Sequence, residues 1–476
     1  MNFATFDFVI FMIVVYLSYL VLPHRFQNYL LLVASYFFYG YWDWRFLSLL
    51  LFSTLINYLA ALLIENQEDT KKRRLVLIIT VVINLGLLGV FKYLGFFVDT
   101  MADLLQLFGL QPHLPVLHIL LPVGLSFYTF QSMSYTIDVY RKDLPATKNF
   151  WDFALYHAFF PQLVAGPIER ATHLLPQVQK PRTITYDQIC RGSFLILWGL
   201  FKKIVIADGV AGGVDQVYGT SAQPTAMDII LATYLFTVQI YGDFSGYSDI
   251  ARGTAKLMGF ELITNFNLPM FAASPREYWD RWHISLASWL RDYLYFPLGG
   301  NRHGEWKTQR NIMLTVFLSG VWHGAAWNFI FWGTYQGIMV CLNRLWFVAR
   351  GIKPTRTSEP PVLNFTKIVQ IFLFFQAVNY GRMLFRATSS DQVINFTRTI
   401  FFDFTFHTSV DFSIPIVTAV SIPLLFILEA YQYVTNTPRY YQRWPLPLRT
   451  LLYATLIFLL MAGISNATQE FIYFAF

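Results

Sequence analysis

Long apolar runs follow one another along almost the whole chain. They lie at residues 6–22, 28–41, 46–64, 75–98, 116–137, 152–168, 190–212, 228–250, 312–343, 364–386, 413–433 and 447–465. A helix needs about 20 apolar residues to cross a bilayer, so several runs are too short and 312–343 is long enough for two helices. The pattern predicts an all-α polytopic membrane protein of about eleven transmembrane helices plus re-entrant or interfacial helices.

The composition agrees with a protein that is solvated by lipid. Of 476 residues, 55% are hydrophobic and 13% are charged, whereas a soluble globular chain carries about 25% charged residues. No internal repeat, low-complexity tract or soluble domain interrupts the runs. We therefore predict a single membrane domain over residues 1–476. We expect membrane lipid to be one of its partners.

The basic residues predict the orientation of the chain. Lys71-Lys-Arg-Arg74 is the densest basic loop, and the positive-inside bias places it in the cytoplasm and the N-terminus outside. The first basic residue, Arg25, comes after the first apolar run, so that run is expected to stay in the protein rather than be cleaved as a signal. The net charge of +7 is spread over short loops, which favours this topology over a nucleic-acid partner.

His323 is an ionisable side chain in a stretch without any full charge. Between Arg310 and Arg344 there is no Asp, Glu, Lys or Arg. An imidazole in membrane-length apolar sequence costs free energy unless it faces a cavity or a polar partner, so it marks a candidate functional site. Asn328 ends the same local sequence, which begins at Ser319, and we assign it as a supporting polar residue.

His283 lies in a segment, residues 277–295, that is rich in both aromatic and polar residues. Read at helical period, one face carries Trp279, Trp282, Leu286, Trp289 and Tyr293, and another carries Arg281, Ser285, Ser288 and Asp292. We predict one interfacial or re-entrant helix with His283 beside the aromatic face. The alternative for His283 is a packed imidazole bonded to a backbone carbonyl.

A second polar cluster occurs at residues 239–252. Asp249 and Arg252 are neighbours on a helix and are predicted to neutralise one another, which leaves Asp243 to pair elsewhere. The intervening Gly and Ser residues would allow helices to approach closely, so packing and direct chemistry both remain open. Arg382 and Arg386 are likewise either interfacial anchors or ligands for an anion.

The motifs that are missing narrow the chemistry. The chain lacks the G-x-S-x-G turn of serine hydrolases, the phosphate-binding P-loop and the dinucleotide-binding G-x-G-x-x-G. Cys190 and Cys341 have no paired spacing, so neither a disulfide framework nor a metal site is expected. A histidine that acts as general base on a hydroxyl needs only an activated donor such as a thioester. Acyl transfer from coenzyme A to an alcohol fits these residues.

Six segments in order resemble signatures of the membrane-bound O-acyltransferases, and most closely their bacterial alginate O-acetyltransferase and peptidoglycan-acetylation branch. They are LPVGLSFYTFQ (121–131), FPQLVAGPI (160–168), DFSGYSD (243–249), NFNLP (265–269), RWHIS (281–285) and GVWHG (320–324). The resemblance implies a ring of tilted helices around a thin centre. It implies that His323 is the catalytic base and that His283 orients the thioester or assists proton movement, with Asp243, Asp249 and Asn328 in support.

The same resemblance implies the setting of the reaction. Acetyl-coenzyme A is the expected donor, no cofactor is bound tightly, and acetyl groups cross the bacterial inner membrane, with the N-terminus periplasmic, to periplasmic acetyltransferase partners. The expected acceptor is an exported polysaccharide of the alginate type, and the alternative acceptor is peptidoglycan. Two rival functions remain open: a transporter or flippase for lipid-linked sugars, and a catalytically silent scaffold. The tail at residues 471–476 is either an aromatic anchor or a carrier in which Tyr473 accepts the acyl group.

Overall fold

The computed structural model describes residues 1–110, 120–219, 223–352, 363–464 and 471–472. Over these residues the regular structure is helical, without strands. The chain divides into two compact units, Met1–Ile196 with Ile250–Ile263, and Leu197–Asp249 with Thr264–Phe476. The single membrane domain predicted over residues 1–476 stays a prediction.

Several helices are long and apolar enough to cross a membrane. In the described part of the chain there are five such stretches, at His24–Asn66, Thr70–Leu107, Phe365–Arg386, Ile416–Thr435 and Leu446–Gly463. The all-α polytopic membrane class is thereby confirmed. The first and second stretches are longer than one span of about 20 residues needs, whereas the total of eleven and the ring arrangement stay predictions.

The first unit contains ten helices in the described residues, the last of which ends in the second unit. They are Phe6–Val21 (α1), His24–Asp43 (α2), Leu47–Asn66 (α3), Thr70–Leu88 (α4), Leu94–Leu107 (α5), Leu125–Arg141 (α6), Phe150–Ala158 (α7), Phe160–Leu163 (α8), Ala171–Gln179 (α9) and Tyr186–Leu200 (α10). A 3₁₀ turn at Trp44–Phe46 joins α2 to α3, and a π-helical turn at Gly89–Tyr93 joins α4 to α5.

Helix α6 forms the centre of this unit, where it packs on α3 and α4. It is buried over most of its length although its sequence is rich in Ser, Thr and Gln. Its Thr136 hydroxyl donates to Asn57 Oδ1 at 3.0 Å, and the Asn57 and Asn84 side chains bond to each other at 3.1 Å. Polar bonds of this kind hold helices together where burial of apolar surface gives little driving force.

The second unit contains most of the remaining helices. A π-helical segment at Phe201–Ala207 precedes them. They are Asp208–Tyr218 (α11), Ala226–Leu257 (α12), Pro275–Trp279 (α13), Ile284–Leu290 (α14), Glu305–His323 (α15), Trp327–Ala349 (α16), Phe365–Arg386 (α17), Ser390–Phe401 (α18), Ile416–Thr435 (α19), Tyr440–Arg443 (α20) and Leu446–Gly463 (α21). Helix α12 runs back into the first unit at its C-terminal end.

Helices α15 and α16 form a hairpin, as one of the two readings of the run at 312–343 predicted. They touch backbone to backbone at Gly320 and Gly333. A Cβ at Gly320 would lie 2.5 Å from the Phe329 carbonyl oxygen and 2.7 Å from the Gly333 Cα. Glycine is therefore required at this crossing.

Helix α12 also makes a close backbone contact, with the chain at and just before the π-helical segment. A Cβ at Gly242 would lie 2.9 Å from the Lys202 carbonyl oxygen, and one at Gly246 would lie 2.7 Å from that of Gly199. The predicted role of these glycines in close helix approach is confirmed. The close approach lets the side chains of Lys202 and Lys203 reach the carboxylates of α12.

Candidate active site

His323 is the last residue of α15 and is 4% exposed. Three aromatic rings surround its imidazole. The ring centroid of Trp322 lies 5.0 Å away, that of Trp332 on α16 also 5.0 Å, and that of Phe385 on α17 5.3 Å. The side chain is therefore held in place by packing against aromatic rings.

The residue after His323 explains why the helix ends there. Gly324 has an extended backbone, with φ −165° and ψ 157°, and a Cβ on it would lie 2.0 Å from the Phe329 ring. The Phe329 ring in turn lies 4.9 Å from that of Phe385. The glycine lets these rings close around the histidine.

His283 sits at a break between two short helices, so the predicted single helix over 277–295 is wrong. Helix α13 ends at Trp279, and His283 has φ 43° and ψ 52°, in the left-handed region, directly before α14. After α14 the segment Arg291–Tyr295 is π-helical. The continuous aromatic face predicted from Trp279 to Tyr293 therefore does not exist as one helical stripe.

Asn265 holds the backbone that follows this break. Its carbonyl oxygen accepts from the Ile284 N–H at 3.0 Å, and its Oδ1 accepts from the Ser285 N–H and hydroxyl at 3.2 and 2.9 Å. A further bond runs from the Asn267 N–H to the Arg281 carbonyl at 2.9 Å. The segments at 265–269 and 281–285 are thus one structural unit, and the hydrogen bonds to Asn265 outweigh the helical periodicity of the sequence.

The two histidines come together in the fold. Their ring centroids are 6.4 Å apart, and the Trp322 ring lies 6.0 Å from His283 and 5.0 Å from His323. His283 is fully buried, with the Phe244 ring 4.7 Å away, and this burial lowers the pKa of His283 to about 3. His283 is therefore neutral at physiological pH.

Asn328 contacts a neighbour of His323. Its Nδ2 donates to the Phe385 carbonyl oxygen at 2.9 Å, which ties α16 to α17 beside the ring that packs on His323. The structure does not group Asn328 with the aspartates of α12 in these contacts. The supporting role of these residues stays a prediction.

Two buried lysines of the π-helical segment pair with carboxylates of α11 and α12. Lys203 pairs with Asp208 and Asp243, each at 2.8 Å, and Lys202 pairs with Asp249 at 2.6 Å. The predicted pairing of Asp249 with Arg252 stays a prediction, while Asp243 does pair elsewhere as expected. Lys202, Lys203 and Asp208 were missed in the sequence, although two lysines inside the apolar run 190–212 are the same signal that marked His323.

Asp243 also binds the C-terminal tail. The Ile472 N–H donates to Asp243 Oδ2 at 2.6 Å. The fully buried Phe471 packs with its ring 4.7 Å from that of Tyr247 and 5.8 Å from that of Phe244. Phe244 lies in turn against His283, so the tail joins the site through one ring. Tyr473 lies outside the described residues.

The sequence matches the model of the membrane-bound O-acyltransferase family over residues 140–379. This region is about half of the chain, and it includes His283, His323 and Asn328. The chain belongs to the membrane-bound O-acyltransferase family. It is an O-acyltransferase and a multi-pass membrane protein.

Relatives of this acyltransferase are named for different polymers. It is 44% identical to a probable alginate O-acetylase of Pseudomonas aeruginosa, over 76% of this chain and 67% of the relative. It is 34% identical to a peptidoglycan O-acetyltransferase of Helicobacter pylori, over 76% and 72%. It is 27% identical to a teichoic acid D-alanyltransferase of Bacillus subtilis, over 58% and 71%.

The imidazoles of His283 and His323 both lie within the described residues. No group of three or more His, Cys, Asp or Glu that could hold a metal ion occurs among them. The site contains a neutral imidazole at His283, a second imidazole at His323 and aromatic rings packed around them. Such a site can take a proton from a hydroxyl and shield a thioester from water.

Proposed function

We propose that this acyltransferase moves acetyl groups from acetyl-coenzyme A on the cytoplasmic side across the inner membrane, for O-acetylation of an exported polysaccharide of the alginate type. The observation that carries the proposal is the buried pair of His283 and His323, with ring centroids 6.4 Å apart. The 44% identity to an alginate O-acetylase supports the acetyl group and the acceptor class.

In this proposal His323 acts as the general base. It takes the proton of the acceptor hydroxyl, the hydroxyl oxygen attacks the acetyl carbonyl carbon, and the carbon–sulfur bond breaks. The thiolate of coenzyme A leaves and takes up the proton from His323. His283, neutral and buried, orients the thioester.

Transfer continues outside the membrane in the same proposal. Separate periplasmic acetyltransferase proteins take over the acetyl group, and the N-terminus of the chain faces the periplasm, as the basic loop at 71–74 favours. No nucleic acid and no tightly bound cofactor take part.

A second candidate acceptor is peptidoglycan, because the chain is 34% identical to a peptidoglycan O-acetyltransferase. The chemistry at the histidines would be the same. Acetate released by mild base from purified alginate-type polysaccharide and from purified peptidoglycan, compared between wild-type and gene-deleted cells, distinguishes the two acceptors.

The test of the proposed reaction is His323→Ala in cells that lack the chromosomal gene. We expect the acetyl content of the polysaccharide to fall to the level of the deletion strain, while immunoblots of the membrane show unchanged protein abundance. His303→Ala is the matched control, because His303 is an exposed histidine of the same unit. Retained acetylation in the His323→Ala strain would show that the protein is a scaffold rather than the catalyst.

The acyl carrier Tyr473 stays a proposal of its own. The Ile472 N–H donates to Asp243 and Phe471 is buried, so the chain is fixed directly before Tyr473. This supports the proposal that the tail is held close to the histidines. Mass spectrometry of the C-terminal peptide would find acetyl-tyrosine if Tyr473 carries the group. Full transfer by Tyr473→Phe without any acetylated peptide would leave the tail as an anchor.

A further inference from the structure

Arg382 is a fully charged side chain in the interior of the second unit, one helical turn before a residue that touches His323. It lies on α17 with 2% of its surface exposed, and Phe385, three residues on, packs on the His323 ring. A buried guanidinium is costly unless an anion neutralises it, because arginine stays charged at any physiological pH. The groups around the guanidinium therefore indicate what Arg382 binds.

The described residues give Arg382 an aromatic platform and one hydroxyl. Its guanidinium carbon lies 4.0 Å from the centroid of the Trp282 ring, and its Nη2 donates to the Tyr278 hydroxyl. The Tyr278 and Trp282 rings are stacked on each other, with an angle of 9° between them. This platform orients the planar guanidinium, but a phenol and an indole supply no negative charge.

The acidic side chain next to Tyr278 in the sequence is already neutralised. Glu277, next to Tyr278, pairs with Arg281 at 3.1 Å and with Lys367 at 2.9 Å. Arg386, one turn further along α17, pairs with Asp215 at 2.8 Å. In the described residues no ion pair of Arg382 is found, and its buried Nε atom has no hydrogen-bond partner.

A second donor without a partner lies close by. The Trp279 Nε1 atom is buried and unbonded within the described chain. The Trp279 ring lies 5.7 Å from that of Tyr278 and 6.1 Å from that of Trp332, which packs on His323. An indole N–H and a guanidinium can only donate, so a group that satisfied both would have to be an acceptor.

We propose that Arg382, on the Tyr278–Trp282 platform, is the anion-binding residue of the acyl-transfer site and takes a phosphate or carboxylate group of a substrate. The two arginines of α17 differ, because Arg386 pairs with Asp215 whereas Arg382 has no ion pair among the described residues. The inference rests on the proposed acyl transfer. The anion is either a phosphate of the coenzyme A donor or the carboxylate of a uronate acceptor.

Binding measurements on the purified full-length protein test the inference independently of catalysis. Calorimetric titration with coenzyme A, and separately with an oligouronate, is compared for wild type, Arg382→Gln and Arg382→Lys. We expect Arg382→Gln to raise the Kd of one of the two probes about tenfold or more, and Arg382→Lys to raise it less, because lysine keeps the charge but loses the planar donor pair. Arg386→Gln is the matched control and should bind both probes as wild type does.

Kinetics identify which substrate carries the anion. If a donor phosphate binds at Arg382, Arg382→Gln raises the KM for acetyl-coenzyme A and leaves the KM for S-acetylpantetheine, which lacks phosphate, unchanged. If the uronate carboxylate binds there, the KM for the oligouronate rises and that for a neutral oligosaccharide does not. Size-exclusion profiles and thermal midpoints show whether each variant is folded, and Tyr278→Phe, which keeps the arginine, should weaken the same probe by a smaller factor.

Unchanged affinity of Arg382→Gln and Arg382→Lys for both probes would overturn the inference. If His323→Ala also abolished transfer in that case, the proposed reaction would stand without an anion site at Arg382. If instead coenzyme A bound through Arg382 but wild-type protein transferred no acetyl group, the proposed function would fall and the anion site would remain.

Discussion

At the scale of single residues, the energetic cost of a charge in an apolar stretch was the most useful signal. It identified His323, whose place among Trp322, Trp332 and Phe385 could not be read from the sequence because those residues come from three helices. The same signal is present at Lys202 and Lys203, inside the apolar run at 190–212, but it does not say which residues they pair with. Their partners lie on α11 and α12, and the fold alone brings these together.

The position of His323 depends on the missing side chain of Gly324. Because a Cβ there would lie 2.0 Å from the Phe329 ring, Gly324→Ala should displace Phe329 and the histidine next to it. A displacement of about 1 Å can cost about 100-fold in rate, and we expect a loss of that order in acetyl transfer by purified protein. Gly212→Ala is the control, since its Cβ would meet no atom within 4 Å. Wild-type transfer by Gly324→Ala would contradict this account of how the rings close.

At the scale of elements, the apolar runs predicted most helices, and the hairpin of α15 and α16 was among the alternatives. The prediction of a single helix over residues 277–295 was wrong for a physical reason. Helical periodicity reports which residues share a face if the backbone is helical, but it does not report a left-handed residue held by a distant segment. His283 is such a residue, and Asn265 makes the hydrogen bonds that hold it there.

The strain at His283 predicts an unusual order of stabilities. At φ 43° an L-residue with a Cβ is disfavoured by about 1 kcal/mol relative to glycine. His283→Gly and His283→Ala both remove the imidazole, so the two variants differ mainly in this backbone strain. His283→Gly should therefore be more stable than His283→Ala by about 1 kcal/mol. Both should transfer acetyl groups far more slowly than wild type.

Denaturant unfolding in one detergent measures this difference. The control is Ala287→Gly in the middle of α14, which should lower the free energy of unfolding by about 1 kcal/mol, the usual cost of glycine in a helix. If His283→Ala proved as stable as His283→Gly, the left-handed backbone at this residue would not persist in the variants.

At the scale of the whole molecule, composition alone predicted the membrane class, and six ordered motifs predicted the family. The motifs at 265–269 and 281–285 proved to be one hydrogen-bonded unit. What sequence reasoning could not predict is that the motif at 243–249 binds residues more than 200 positions away. Asp243 accepts from the Ile472 N–H, a long-range contact with a backbone group that has no signature of its own.

This contact predicts that Asp243 of α12 protects the Ile472 amide from exchange. Asp243→Ala removes the acceptor of the Ile472 N–H and leaves Lys203 with Asp208. A hydrogen bond to a charged group contributes about 1.5–3 kcal/mol, so the Ile472 amide should exchange with deuterium about tenfold faster or more. Mass spectrometry of the C-terminal peptide measures the rate, and Asp215→Ala, which removes only the surface partner of Arg386, is the control. An unchanged exchange rate in Asp243→Ala would mean that the burial of Phe471 alone holds the tail.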